Sequence, residues 1–190
     1  MNQIVDPRQI LQSDLPLIVL ANKTNDFIAN AIDERTGASW DHAMVCINQG
    51  KFCSQGLTYS EVPMESYMKK GSELKFIKLV NSNPAFVSAF RNAVLNRIAL
   101  PWWRKMYDFL GIFGQAIGQP WIHTPGLMYC SVADIALLKQ CSILLPDADN
   151  VVIQSIPNES NPQEIDDIAK NNPKVFSTYG IYLSDEGVVV

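Results

Sequence analysis

The sequence is poor in the residues that build metal and disulfide scaffolds. Among its 190 residues are four cysteines (Cys46, Cys53, Cys130 and Cys141) and two histidines (His42 and His123), with no CxxC pair. A structural zinc site needs four clustered ligands, so no metal is expected. The opening stretch MNQIVDPRQILQSDLPLIVLANK lacks a basic leader, and Asp6, Asp14 and Pro16 interrupt its apolar residues. It does not read as a signal peptide. The expected location is a cytoplasm, with a virion or signal-less export as alternatives, and disulfides are not expected there. No run approaches the roughly 18 apolar residues of a membrane span, so no integral membrane segment is expected. Charge of one sign is scarce too: 15 basic and 19 acidic residues give a net charge of -4. With no dense Lys/Arg cluster, nucleic acid is not an expected partner.

What is present is the composition of an ordinary globular chain, 47% hydrophobic and 18% charged. That suits one domain over residues 1–190, with a core of about 15–140 and a C-terminal extension of about 141–190. LPLIVLA (15–21), HAMVCIN (42–48), KFCSQ (51–55) and ELKFIKLV (73–80) read as strands, the middle two as a hairpin around Asn48-Gln49-Gly50. Residues 24–33 read as a capped helix, and EVPMESYMKKG (61–71) as a short helix from Pro63. Residues 84–98 repeat apolar side chains at helical spacing, and WWRKMYDFLGIFGQAIG (102–118) reads as an aromatic helix whose Trp102 and Trp103 are expected in the core, with an aromatic wall for a substrate as the alternative. A buried helix begins at or just after Cys130. NVVIQSI (150–156) and STYGIYL (177–183) are strand candidates, and Asn161-Pro162 opens a last helix. The predicted fold class is α+β, a small antiparallel sheet packed with helices.

Two residues carry the chemistry. Cys130 follows a Pro/Gly loop and stands at a helix N-terminus, where unpaired N–H groups and the helix dipole favour a thiolate and can hold an oxyanion. The bland alternative is a small buried hydrophobe, which suits the other three cysteines. His42 opens an apolar strand after Ser39-Trp40-Asp41, a position for a general base or for a packed structural imidazole.

Three blocks in order bring these residues together. RTGASWDHAMVCI (35–47) resembles the TGS-x-x-S-H-x-G-I-V block of permuted papain-like hydrolases in the NlpC/P60 superfamily, the YiiX/YebB-like proteins among them. MYDFLGIFGQAIG (106–118) resembles their Y-D-x-x-G segment, and YCSVADIALL (129–138) their C-S-E-x-V helix. The resemblance implies a circularly permuted papain-like fold, with Cys130 as nucleophile and His42 as base. It also implies a third polar residue on the next strand that orients the imidazole. Gln55 or Ser54 fills that place; Gln55 is favoured because its amide oxygen can fix the ring tautomer. His123 is a further alternative. Tyr107 and Asp108 could line the cleft and Tyr129 shape it, although packing accounts for all three as well.

The activity implied is a cysteine amidase or peptidase acting through a thioester, with peptide stems of bacterial cell walls as leading substrates and no metal or organic cofactor. One rival is an acyl hydrolase or acyltransferase on lipids, whose 102–113 segment would face lipid. The other is a degenerate, non-catalytic binding or virion module.

Overall fold

The computed structural model describes residues 6–22, 39–68, 71–106, 108, 110 and 128–183. Six strands form one antiparallel sheet: β1 (Leu17–Asn22), β2 (His42–Asn48), β3 (Lys51–Gln55), β4 (Tyr59–Pro63), β5 (Glu73–Leu79) and β6 (Phe176–Leu183). Their spatial order is β4-β3-β2-β1-β5-β6, with antiparallel pairing throughout. Four helices are described: α1 (Pro84–Ala99), α2 (Cys130–Cys141), α3 (Asp147–Ser155) and α4 (Pro162–Asn171). The coarse α+β expectation holds. None of the described helices is long and apolar enough to cross a membrane.

Alternation along the strands sorts side chains onto two faces. Ala43, Val45 and Ile47 of β2, with Leu20, Cys53, Ile77 and Leu79, pack against Phe86, Phe90 and Val94 of α1 and Ala133, Leu137 and Leu138 of α2. Leu17, Val19, Met44, Cys46, Phe52, Leu74 and Phe76 point the other way and are covered by Ile10, Leu15, Met64 and the 3-10 turn Met64–Tyr67. The helices take their caps from side chains where the sequence offers them. Asn83 accepts from the Phe86 amide at 2.9 Å ahead of Pro84, and Asn161 and Glu164 form a reciprocal capping box on α4.

Several elements differ from the sequence expectation. Residues 61–63 finish strand β4, and only Met64–Tyr67 turns helically. Pro63 is tolerated because β4 is an edge strand, where one missing N–H costs no ladder bond. The NVVIQSI run lies mainly in helix α3: Pro146, Asp147 and Asp149 set a helical start that outweighs the β-branched pair Val151-Val152. Trp102 and Trp103 lie in an exposed 3-10 turn, not in the core. The helix expected over 24–33 falls outside the described residues, as does most of 107–118.

The stretch beyond residue 141 is no appendage. β6 pairs with β5 along its length, and the buried carboxylate of Asp166 on α4 ties three elements together. It pairs with Lys75 on β5, accepts from Trp40 Nε1 at 2.8 Å and meets Lys170 Nζ at 2.9 Å. Trp40 immediately precedes Asp41 and His42, so α4 fixes the backbone that leads into the proposed base.

Candidate active site

Cys130 begins α2 as expected, with Tyr129 in the N-cap position. The thiol is 3% exposed. Burial pushes it up to about 12, while the backbone amides of Ala43 and Ser131 face the sulfur and act in the opposite direction. Dehydration therefore outweighs the helix terminus, and Cys130 rests as a neutral thiol. Burial also raises Cys46 to about 12 and raises Cys53 and Cys141, so no cysteine in this conformation carries a ready thiolate.

His42 turns its ring toward the second face of the sheet. Its Nε2 lies 2.6 Å from Ser54 Oγ and 3.2 Å from the Tyr67 hydroxyl, and those two hydroxyls are 3.0 Å apart. The Tyr67 ring stacks on the imidazole, 5.6 Å between centroids at 8°. When Nε2–H donates to Ser54 and Ser54 to Tyr67, Nδ1 carries the lone pair that a base needs. Nδ1 is also the ring nitrogen nearer the backbone, and the Cys130 sulfur sits against the next residue's amide. Among the described residues no hydrogen bond links the thiol to the ring.

Gln55 is corrected as the orienting residue. Its Nε2 donates to the Lys105 carbonyl at 2.9 Å, and its Oε1 accepts from Arg97 at 3.4 Å, on the helix-covered face. Ser54 takes the place beside His42. The cause is a β-bulge. Asn48 pairs with Lys51 across the turn, where Gly50 supplies a positive φ of 73°, but further on Val45 pairs with Cys53 and Met44 with Ser54. Continued without the bulge, the register at the turn would pair Met44 with Gln55 and put Gln55 on the His42 face. One extra residue exchanges the faces of Ser54 and Gln55. Ser54 is the alternative that the sequence offers on β3; Tyr67, reaching in from the turn after β4, carries no sequence signal.

The remaining candidates separate. Tyr129 is buried, and its hydroxyl donates to the Glu159 carbonyl at 2.8 Å, a packing arrangement. Asp108 is buried and its amide donates to the Met128 carbonyl at 3.2 Å, two positions from Cys130. Tyr107 and His123 lie outside the described residues.

One turn along α2 from Cys130 stands a group that sequence reading passed over. Asp134 is buried, accepts from the Tyr59 hydroxyl at 3.0 Å through Oδ1, and has no hydrogen-bond partner for Oδ2 among the described residues. The Arg97 guanidinium lies 5.3 Å over the Tyr59 ring. Burial pushes the Asp134 carboxyl up to about 8, against the Tyr59 hydrogen bond and Arg97, so at neutral pH it keeps its proton and places no full charge beside the thiol. The sign of the linkage follows. As pH rises from about 4 toward 8, the unfolded chain loses this proton while the native one holds it, so this contribution to stability falls over that window and levels off above it. Asp134→Asn, which preserves the acceptor for Tyr59, is expected to flatten the decline and stabilise the protein by roughly 2 kcal/mol at pH 8, with little change near pH 4. Denaturant unfolding at the two pH values measures this; an equal effect at both would refute it.

No protein-family model matches the chain, and no curated protein matches it at a significant level.

Proposed function

We propose that the chain is a cysteine hydrolase of the permuted papain-like type that its sequence blocks resemble, cleaving an amide through a thioester on Cys130. The observation that supports this most is the seating of Cys130: the first residue of a twelve-residue helix, its sulfur facing the amides of Ala43 and Ser131. Such amides stabilise a negative charge at or next to sulfur. His42, the residue before Ala43, has its Nε2 engaged by Ser54 and Tyr67. In the reaction, Sγ bonds to the carbonyl carbon as its proton passes to His42 Nδ1. The imidazolium then protonates the leaving amine as the C–N bond breaks, and water hydrolyses the thioester. Because the free thiol is buried and protonated, substrate binding has to bring sulfur and ring together. By resemblance the leading substrate is a cell-wall peptide stem.

The burial of Cys130 and the lack, among the described residues, of a hydrogen bond between thiol and imidazole favour a second reading, a non-catalytic module on the same scaffold. A peptide carrying a carbonyl electrophile separates the two. Stoichiometric modification of Cys130, lost in His42→Ala, supports the hydrolase; binding of the peptide without modification supports the module.

The corrected orienting residue gives its own expectation. Ser54→Ala should lower turnover by about 10- to 100-fold, in line with loss of a partner that holds a catalytic histidine. Gln55→Ala should act on stability through the Arg97 and Lys105 contacts and leave the rate near its original value. Steady-state kinetics with melting curves on both variants checks the contrast; a larger rate loss in Gln55→Ala would reverse the assignment.

A further inference from the structure

We propose that the turn bearing Trp102 and Trp103 docks the protein onto an anionic lipid bilayer surface. This rests on the surface alone and holds whether or not Cys130 is a nucleophile.

The two indoles are 62% and 59% exposed and sit edge to face, with ring centroids 6.0 Å apart. The 3-10 turn Trp102–Arg104 presents them to solvent between Pro101 and Lys105. Beside it runs the loop carrying Leu57, which is 77% exposed. That loop is fastened by the bridge of Thr58 to Met106 and by the Tyr59 amide donating to the Lys105 carbonyl at 3.0 Å. Isolated exposed apolar side chains are ordinary, but two neighbouring tryptophans held out on a tied-down turn are not. Indole, an apolar body with one polar N–H, is suited to the headgroup boundary of a bilayer.

Charge selects the partner. From Leu74 through Tyr107 the sequence has six cations (Lys75, Lys78, Arg91, Arg97, Arg104 and Lys105) and no Asp or Glu, in a chain with net charge -4. Lys75 and Lys78 are drawn to Asp166 and Asp14 at the far end of the segment. Arg91 and Arg97 donate to Asn48 and Gln55, and the half-buried Lys105 donates to the Ile98 carbonyl, which leaves Arg104, exposed next to the indoles, as the cation at the turn. Asp108, the next acid along the chain, is buried. Aromatic side chains with an exposed arginine beside them and no exposed acid in the same segment match a surface of acyl chains under anionic headgroups.

The test uses the full chain with vesicles of phosphatidylcholine alone or mixed with phosphatidylglycerol. Co-flotation with the mixed vesicles and not the neutral ones is expected, weakening as salt rises. Tryptophan emission should shift to the blue and be quenched by a lipid with a nitroxide near its headgroup. Trp102→Ser with Trp103→Ser should weaken partitioning at least about tenfold, and Arg104→Glu should weaken it less, both with unchanged melting temperature. No flotation with the mixed vesicles, or flotation that the double variant leaves intact, would overturn the proposal. So would a concentration-dependent dimer dissolved by the double variant, which would make this a surface between copies of the chain. The quenching measurement needs no variant and decides the matter if the double variant fails to fold.

Discussion

Replacing Cys130 by Ala is expected to lower turnover by about a thousandfold or more while the fold survives. The sulfur is the atom that would bond to the substrate carbonyl, and no other cysteine can take its place. Cys46 and Cys53 lie within β2 and β3, and Cys141 ends α2, a helix length from the Ala43 and Ser131 amides. Loss of one buried sulfur atom costs about 1 kcal/mol in transfer and packing. Ala is also a better helix former, so the melting temperature should move little. Assays of peptide-stem amides and of acyl esters on both proteins, with calorimetry alongside, give the comparison. Substantial turnover by the Ala variant, in a preparation free of contaminating hydrolases, would remove Cys130 from the chemistry.

The largest effect on stability is expected at Asp166. Its carboxylate is buried, and it is the sole ion-pair partner of Lys75 among the described residues. Lys75 is itself 5% exposed. Asp166→Ala strands that ammonium in a dry setting and releases the Trp40 indole N–H at the same time. The cost of breaking such a pair from one side is about 3–5 kcal/mol. Lys75→Met combined with Asp166→Leu should recover much of it, since neither charge then needs solvation. Lys170→Ala should cost little, because its ammonium is exposed. Denaturant unfolding of the three variants makes the comparison, and a double variant no more stable than Asp166→Ala would contradict it. The pH dependence points the same way. Burial raises the Asp166 carboxyl, but hydrogen bonds from Lys75, Lys170 and Trp40 bring it below its ordinary value near 3.8. Its contribution is therefore complete above pH 4 and lost as pH falls through the lowered native value.

Legibility in the sequence followed the range of the forces involved. β1 and β2 announce themselves as short apolar runs buried on both faces, β5 by its alternating polar and apolar residues, α1 by apolar side chains at helical spacing, and α2 as an apolar stretch after a Pro/Gly loop. Residues 150–156 misled because two adjacent valines favour a strand locally, whereas the helix is set by Pro146 and the acids of its first turn. Cys130 was placed correctly at its helix start, but its protonation was not, since the local dipole is visible in sequence and the dehydration imposed by the assembled core is not. The orienting residue depended on a single bulge in the β2–β3 ladder. Ser54 and Gln55 are neighbours with opposite facing, so a one-residue slip was enough to exchange their roles. Asp134 gave no signal because Tyr59 and Arg97, its neighbours in space, are 75 and 37 positions away in the chain.

The place of β6 at the margin of the sheet bears on how the protein is made. Residues 176–183 supply the outer partner of β5, and Tyr179 reaches back to Asp14 across 165 positions. Trp40 and Lys75 wait for Asp166, which follows them by 126 and 91 positions. A ribosome therefore delivers the inner strands long before the pieces that finish them. Until then β5 exposes an open row of backbone donors and acceptors, to which another nascent chain can add a strand. So many distant partners give the fold a high contact order, and refolding is expected on the slow side for a domain of this size.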